Sequence, residues 1–451
     1  MKQSLYKDKH VLIVGLAKSG MSAARLLHRL GAHVIVNNGS SSEGSTEEKE
    51  LKQLGIPLHS GGHPLSLLEE KIDIIVKNPG IRYDLPLFEK AGELNIPIIT
   101  EMEIAGRLCE GTMIAITGSN GKTTTSSLLH ALLVEGGKKS YLAGNIGTVA
   151  CEVSEQVKQD EFMVTEVSSF QLKGSPAFQP NIGIILNIFD AHLDYHGSKE
   201  DYVASKGKMF ANMTEEEYAL YNADDPEVTA LAKQSNARLF PFSTTEILSE
   251  GACIKDGWMM FQNEPVMEMS KASLPGRHNH ENMLAAAAAA MLSGVDRQAV
   301  ENVLTTFSGI KHRLQYVGDV NGIRVYNDSK ATNILSTQKA IEAFSDPVVL
   351  IAGGLDRGNE FDSLEAAFAG LKAVVAYGET KYKLADTAEK AGLNIVKIVD
   401  TLEEATAAAA AVAEAGDVLL LSPACASWDQ FKTFEQRGDL FIQEMNKQKK
   451  Q

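Results

Sequence analysis

Short apolar runs, each followed by a glycine-rich turn and then an amphipathic stretch, recur along the chain. Val11–Val14 is a continuous apolar run of the kind buried on both faces of a parallel sheet. Gly15–Gly20 then turns the chain, and Met21–Leu30 reads as a helix stopped by Gly31. Val34–Val36 and Ile72–Val76 continue the pattern as strands, in a first block running to residue 108. A second block, 109–310, opens on the strand Met113–Ile116 and adds strands at Phe162–Val167 and Ile182–Ile188. Its Ala285–Ala290 run predicts a packed helix. The third block, 311–451, offers strands at Val348–Ala352, Ala373–Ala376 and Val418–Leu421, with a helix at Leu402–Ala415. Alternating strands and helices predict an α/β fold with mostly parallel sheets and helices on their faces. Ligands are then expected at the carboxyl ends of strands and in the clefts between blocks.

Composition changes the picture mainly by exclusion. The chain has 451 residues, 44% hydrophobic and 22% charged, which fits an ordinary globular protein of about three domains. A net charge of −15 argues against a nucleic-acid binder and against docking on anionic lipid. Small anionic ligands are not excluded, because their sites are local. The four cysteines, Cys109, Cys151, Cys253 and Cys425, are scattered and form no CxxC pair, so reduced thiols in the cytoplasm are expected. The apolar stretch Met283–Val295 is too short for a bilayer, which needs about 20 residues. The N-terminal apolar run is soon broken by Gly15 and reads as a strand, not a secretory signal.

The sharpest chemical signal is TGSNGKTTT, Thr117–Thr125, directly after an apolar strand. Glycines let backbone N–H groups turn toward a phosphate, and the helix N-terminus that follows adds positive potential. Gly118, Asn120, Gly121 and Thr124 would line such a cradle, Lys122 would reach the outer phosphates, and the Thr123 hydroxyl would ligate Mg2+. The spacing departs from the common GxxxxGK[ST] loop, since Ile116 stands where that loop has its first glycine. The turn Gly15-Leu16-Ala17-Lys18-Ser19-Gly20 is a weaker signal, without the full GxGxxG pattern. Asn37-Asn38 follows the next strand where an NAD ribose would want an acid, which disfavours a dehydrogenase. Either a nucleotide diphosphate sits on that helix N-terminus or the turn is purely structural.

These residues resemble the Mur ligase family of peptidoglycan synthesis. TGSNGKTTT looks like that family's ATP loop, displaced glycine included. GNIG at Gly144–Gly147, EVSSFQL at Glu166–Leu172, DAHLDYH at Asp190–His196 and YVASK at Tyr202–Lys206 follow in order. GRHNHEN at Gly276–Asn282, His312-Arg313 and NDSKATN at Asn327–Asn333 come next. The long segment SPACASWDQFKTFEQRG, Ser422–Gly438, is most similar to the D-glutamate-adding branch. The resemblance implies a Rossmann-like UDP-substrate domain (1–108), a central P-loop-type ATPase domain (109–310) and a Rossmann-like amino-acid domain (311–451). It implies that ATP phosphorylates the carboxylate of UDP-N-acetylmuramoyl-L-alanine and that the amine of D-glutamate displaces the phosphate. A carboxylate is a poor electrophile, and phosphorylation supplies its leaving group; positioning and charge neutralisation supply most of the rest. Residues of all three blocks are then expected to close on one centre and exclude water.

The resemblance also carries roles residue by residue. Glu166 would be a Mg2+ ligand at a strand end, and His192 would lie beside a second Mg2+ and the acyl phosphate. Lys206 would be carbamylated by CO2, turning a cation into an anionic metal ligand, which needs a lysine whose pKa the site lowers. Asn145 would contact substrate, Asn279 and Asn282 adenine, Arg313 and Asp328 the ATP phosphate and ribose, and Lys330 phosphate or product. Thr332, Arg357, Ser427 and Phe434 would receive D-glutamate, and Leu16, Ala17, Asn38 and Asn78 the uridine end. Without the resemblance, the asparagines would read as turn residues and His192 as a structural loop histidine. The chain departs from some relatives at Arg357, where lysine can occur, at Trp428, where leucine can occur, and at Asn37-Asn38-Gly39, where Asp-Thr-Arg can occur.

Two rival readings make different demands. Folylpolyglutamate synthase also joins glutamate through an acyl phosphate, but it begins close to its phosphate loop, whereas here a whole block precedes Thr117. A non-catalytic nucleotide-binding scaffold would be expected to lose Lys122, Glu166, His192 or Lys206, and all are present. The expected partners are small molecules only, with no nucleic acid and no membrane, acting on a cytoplasmic monomer.

Overall fold

The computed structural model describes residues 2–144, 148–189, 193–307, 309 and 311–448. The chain divides into two compact units, 1–271 with 281–304, and 272–280 with 305–451. The first unit carries two sheets. Strands β1 (His10–Val14), β2 (His33–Asn38), β3 (Leu58–Ser60), β4 (Ile74–Lys77) and β5 (Ile98–Ile99) form a five-stranded parallel sheet in the order β3-β2-β1-β4-β5. The order reverses at β1, and open α/β sheets hold ligands at strand ends beside such a reversal. Gly15, Leu16 and Ala17 follow β1 there, and Asn78 follows β4. The helix after β1 begins at Lys18, not at Met21 as the pattern predicts. Gly20 lies inside its first turn, where a Cβ would sit 2.0 Å from the Gly15 carbonyl oxygen. That glycine serves close packing of helix on strand end instead of extending the turn.

The second sheet has nine strands: β6 (Thr112–Thr117), β7 (Ser140–Gly144), β8 (Phe162–Glu166), β9 (Ile182–Ile185), β10 (Tyr218–Asn222), β11 (Arg238–Ser243), β12 (Ala252–Lys255), β13 (Trp258–Phe261) and β14 (Glu264–Glu268). Their order is β14-β13-β12-β11-β10-β9-β6-β8-β7, parallel from β7 to β12 and antiparallel beyond. β9 stops before the expected Ile188 because the chain turns to serve the loop after β6: Ser119 N–H donates to the Asn187 carbonyl at 2.9 Å. The helix Arg277–Leu292 carries the alanine run, and its stretch from Met283 through Ala290 is buried throughout, so that stretch is apolar all round because it is enclosed all round. One apolar cluster runs from Val11 and Ile13 through Met102 and Ile104 to Met113 and Ala115, joining the two sheets' layers. Each such side chain contributes about 1.5–3 kcal/mol on burial. The partly exposed pair of Arg25 with Glu152, which crosses between those layers, is worth at most about 1 kcal/mol, so apolar packing decides this association.

The second unit holds a six-stranded sheet of β15 (Gln315–Val320), β16 (Ile323–Asn327), β17 (Val348–Gly353), β18 (Ala373–Tyr377), β19 (Val396–Ile398) and β20 (Val418–Leu421). Its order is β15-β16-β20-β17-β18-β19, parallel except for the β15–β16 hairpin. The helix expected to reach Ala415 ends at Val412, where Ala413 turns extended. The four cysteines are buried and free, and no described helix is long and apolar enough to cross a membrane.

Candidate active site

The loop after β6 is shaped by its glycines. Gly121 is left-handed, with φ 85°, and caps the helix Lys122–Glu135. A Cβ there would fall 2.2 Å from Asn282 Oδ1. Lys122, Thr123 and Thr124 open that helix, and the first turn of a helix turns its backbone N–H groups outward, which is the backbone form of an anion site. Asn120 N–H donates to Asn187 Oδ1 at 2.9 Å, and Asn187 Nδ2 returns to the Asn120 carbonyl at 3.3 Å, fixing the loop's crest. Ser119 Oγ and Tyr202 OH lie 2.8 Å apart. Lys122 Nζ donates to the carbonyls of Gly118 at 2.7 Å and Ser119 at 3.0 Å, curling over the loop itself.

Beneath the loop, parallel pairing places the ends of β6 and β8 side by side, with Ile116 opposite Glu166. Thr123 Oγ1 donates to Glu166 Oε2 at 2.9 Å, and both residues are buried. Lys206, on the helix Lys199–Ala211, is only 1% exposed, and its Nζ donates to Thr117 Oγ1 at 3.3 Å. Burial, then the neighbouring charge of Lys122, push the Lys206 ammonium well below the ordinary lysine range, with Glu166 acting the other way. The site therefore disfavours the charged form of Lys206. Among the described residues no group of three or more His, Cys, Asp or Glu could hold a metal ion. A divalent cation would instead rest on the Thr123 and Glu166 oxygens and on phosphate oxygens, the sparse protein ligation that suits Mg2+. An anion at Lys206 would complete that set, whereas an ammonium would oppose it.

Other expected residues fall into two further groups. Leu16 N–H donates to Asn38 Oδ1 at 3.3 Å, and Asn78 Oδ1 accepts from Gly80 N–H at 3.3 Å. A Cβ on Gly15 would lie 2.7 Å from Asn78 Cβ, so Leu16, Ala17, Asn38 and Asn78 gather at the reversal of the first sheet. Asn279 and Asn282 both lie on the helix Arg277–Leu292; Asn279 Nδ2 donates to the Pro275 carbonyl, and Asn282 Oδ1 accepts from Thr125 Oγ1 at 3.2 Å. Asn145 and His192 lie outside the described residues.

In the second unit, Asp328 accepts from Leu314 N–H at 3.1 Å on one oxygen and from Ser422 Oγ at 2.9 Å on the other. Burial pushes its carboxyl up to about 7, against those hydrogen bonds. Arg313 belongs to the turn just before β15 that supplies Leu314. Lys330 Nζ lies 5.5 Å from the Phe434 ring centroid, and Thr332 N–H donates to the Lys330 carbonyl. Ser427 is buried, and Arg357 stacks on Trp428 at 4.7 Å. Reading the sequence missed the tie between these segments. Arg437 is fully buried; its Nε donates to Ser329 Oγ, and its Nη2 to the carbonyls of Ser329 and Cys425. Ser329 Oγ in turn donates to the Phe434 carbonyl at 2.8 Å. Thr117, Asn187 and Tyr202 were also unassigned. The only signal for Arg437, Thr117 and Tyr202 was their presence in motifs already quoted; Asn187 had none.

Comparison with known proteins adds three family matches: a Mur ligase MurD-like N-terminal domain over 9–100, a Mur ligase middle domain over 116–290, and a Mur ligase glutamate ligase domain over 312–425. The chain is 53% identical over 445 residues to the UDP-N-acetylmuramoylalanine–D-glutamate ligase of Geobacillus kaustophilus, covering 98% of this chain and 99% of that one. It is 53% identical over 442 residues to the ligase of the same name from Bacillus cereus strain B4264, covering 98% of each. In fold it is similar to the UDP-N-acetylmuramate–alanine ligase of Thermotoga maritima, with TM-score 0.58, 20% identity and 97% and 99% of the two chains covered. A MurF ligase from Thermotoga maritima, solved in complex with ADP, aligns with TM-score 0.55, 16% identity and coverage of 99% and 97%.

Proposed function

The chain belongs to the Mur ligase family, and from that premise we propose that it joins D-glutamate to UDP-N-acetylmuramoyl-L-alanine, with ATP converted to ADP and phosphate, in peptidoglycan precursor synthesis. The observation that carries the reading is the buried cluster of Thr123, Glu166 and Lys206 under the glycine loop. The loop's N–H groups and Lys122 hold the outer phosphates of ATP. Thr123 and Glu166 would hold Mg2+, whose charge would drain negative charge from the phosphate oxygens. Lys206, held neutral, adds its nitrogen to CO2 and loses a proton; the carbamate then presents anionic oxygens where an ammonium stood. His192 belongs beside the reacting phosphoryl group and Asn145 beside the muramyl substrate.

The substrate carboxylate takes the γ-phosphoryl group and ADP leaves. The amine of D-glutamate then attacks the acyl carbon, phosphate departs with the C–O bond electrons, and the amine proton passes to solvent. Leu16, Ala17, Asn38 and Asn78 serve the uridine end, and Asn279 and Asn282 the adenine. Arg313 and Asp328 serve the nucleotide's phosphate and ribose, Lys330 contacts phosphate or product, and Thr332, Arg357, Ser427 and Phe434 receive D-glutamate. The working boundaries are 1–108, 109–310 and 311–451, in a cytoplasmic monomer. The test is ADP formation across a panel of D- and L-amino acids. ADP is expected only when UDP-N-acetylmuramoyl-L-alanine and D-glutamate are both present; equal turnover with L-glutamate, or none with either, contradicts the reading.

A further inference from the structure

Lys77 closes β4 and is 1% exposed, and none of the described carboxylates forms an ion pair with it. Burial lowers its pKa to about 7, partly offset by the charge of buried Glu101. Its Nζ donates to the carbonyls of Asn78 at 3.3 Å and Pro79 at 3.1 Å, and to Tyr195 OH at 3.0 Å. The Tyr83 ring centroid lies 4.5 Å from the same nitrogen. Tyr195 sits in the short helix Leu193–His196, which follows His192 directly. Its hydroxyl faces the carbonyls of Pro79 at 2.9 Å and Ile81 at 3.1 Å, and its ring packs edge-on against Phe170 at 4.3 Å. A tyrosine hydroxyl has one proton, so it accepts from Lys77 while donating to one of those carbonyls. The neighbouring His196 is pinned between Asp201, at 2.6 Å, and Ser169, at 3.0 Å. The aromatic and ionic packing thus fixes one end of the segment, and Lys77 and Tyr195 bolt it to the turn 78–81.

Burying an ammonium among carbonyls and ring faces is less favourable than burying a methionine of similar length, so packing alone does not explain Lys77. The turn it holds carries Asn78, and the segment it grips leads out of His192. We propose that Lys77 and Tyr195 form a latch between the Asn78-Pro79-Gly80 turn and the segment after His192, acting as positioning residues that set the nucleotide-precursor end against the phosphoryl-transfer centre. This inference rests on the ligase reading above. It names residues outside the expected contact set and predicts which substrate's kinetics they control.

The test compares the full-length wild type with Tyr195→Phe, Lys77→Met and the double variant, measuring steady-state kinetics for each substrate in turn. Tyr195→Phe keeps the ring and removes only the hydroxyl, so it serves even if Lys77→Met folds poorly. We expect each single variant to raise KM for UDP-N-acetylmuramoyl-L-alanine about tenfold, the scale of one hydrogen bond to a charged group. KM for D-glutamate and for ATP should hold, and the double variant should be no worse than the poorer single one. Wild-type kinetic constants in Tyr195→Phe, or equal changes for all substrates, would overturn the latch while leaving the ligase reading in place. Absence of substrate-dependent ADP from the wild type would overturn both.

Discussion

Lys206→Ala is expected to cut turnover by about 10³-fold, the scale of losing a buried group that stabilises developing charge. The side chain is enclosed, and its removal leaves a small cavity between Thr117, Glu166 and the glycine loop. Bicarbonate cannot form a carbamate without the amine, but formate or acetate can place a carboxylate where the carbamate stood. Partial recovery with short carboxylic acids is therefore expected, saturating with concentration and diminishing with acid size. Lys206→Arg should be as inactive and should not be rescued, since a permanent cation fills the space. Thermal unfolding of each variant checks that the fold is kept. Unchanged activity in Lys206→Ala would remove Lys206 from the site altogether.

Glu166→Gln is the second large effect. The amide is the same size, and its carbonyl oxygen can still accept the Thr123 hydroxyl, so local packing should survive. What is lost is the carboxylate charge at the strand end. A fall in kcat of about 10²–10³-fold is expected, together with a marked rise in the Mg2+ concentration needed for half-maximal rate. Mg2+ titrations at saturating ATP read this directly. An unaltered Mg2+ requirement would show that Glu166 does not hold the metal.

How much of this was legible depended on what each feature needs from the chain. The strands β1, β6, β17, β18 and β20 were readable because a strand buried on both faces must be apolar throughout. The phosphate loop was readable because its job is done by backbone, and backbone needs glycine at fixed places. The β12–β14 extension and the β15–β16 hairpin were missed, although Asp256-Gly257 and Asn321-Gly322, all at positive φ, are hairpin-turn pairs. Strands β12, β14, β15 and β16 mix polar and apolar residues and lack the continuous runs used to find the others, and β13, although apolar throughout, is only four residues long. The burial of Lys206 could be demanded by its chemistry but not seen, since its neighbours Ser205 and Gly207 look like any helix. Arg437 and Lys77 were invisible for a related reason. Most of their hydrogen bonds go to backbone carbonyls, which leave no mark on side-chain pattern, and their side-chain partners Ser329 and Tyr195 lie more than 100 residues away.

The decisive measurement follows one oxygen atom. UDP-N-acetylmuramoyl-L-alanine labelled with ¹⁸O in its carboxylate is turned over with ATP and D-glutamate, and the released phosphate is analysed by mass. Activation of the carboxylate by phosphorylation requires one labelled oxygen to leave with phosphate for each amide formed. Amide formation with unlabelled phosphate would contradict it.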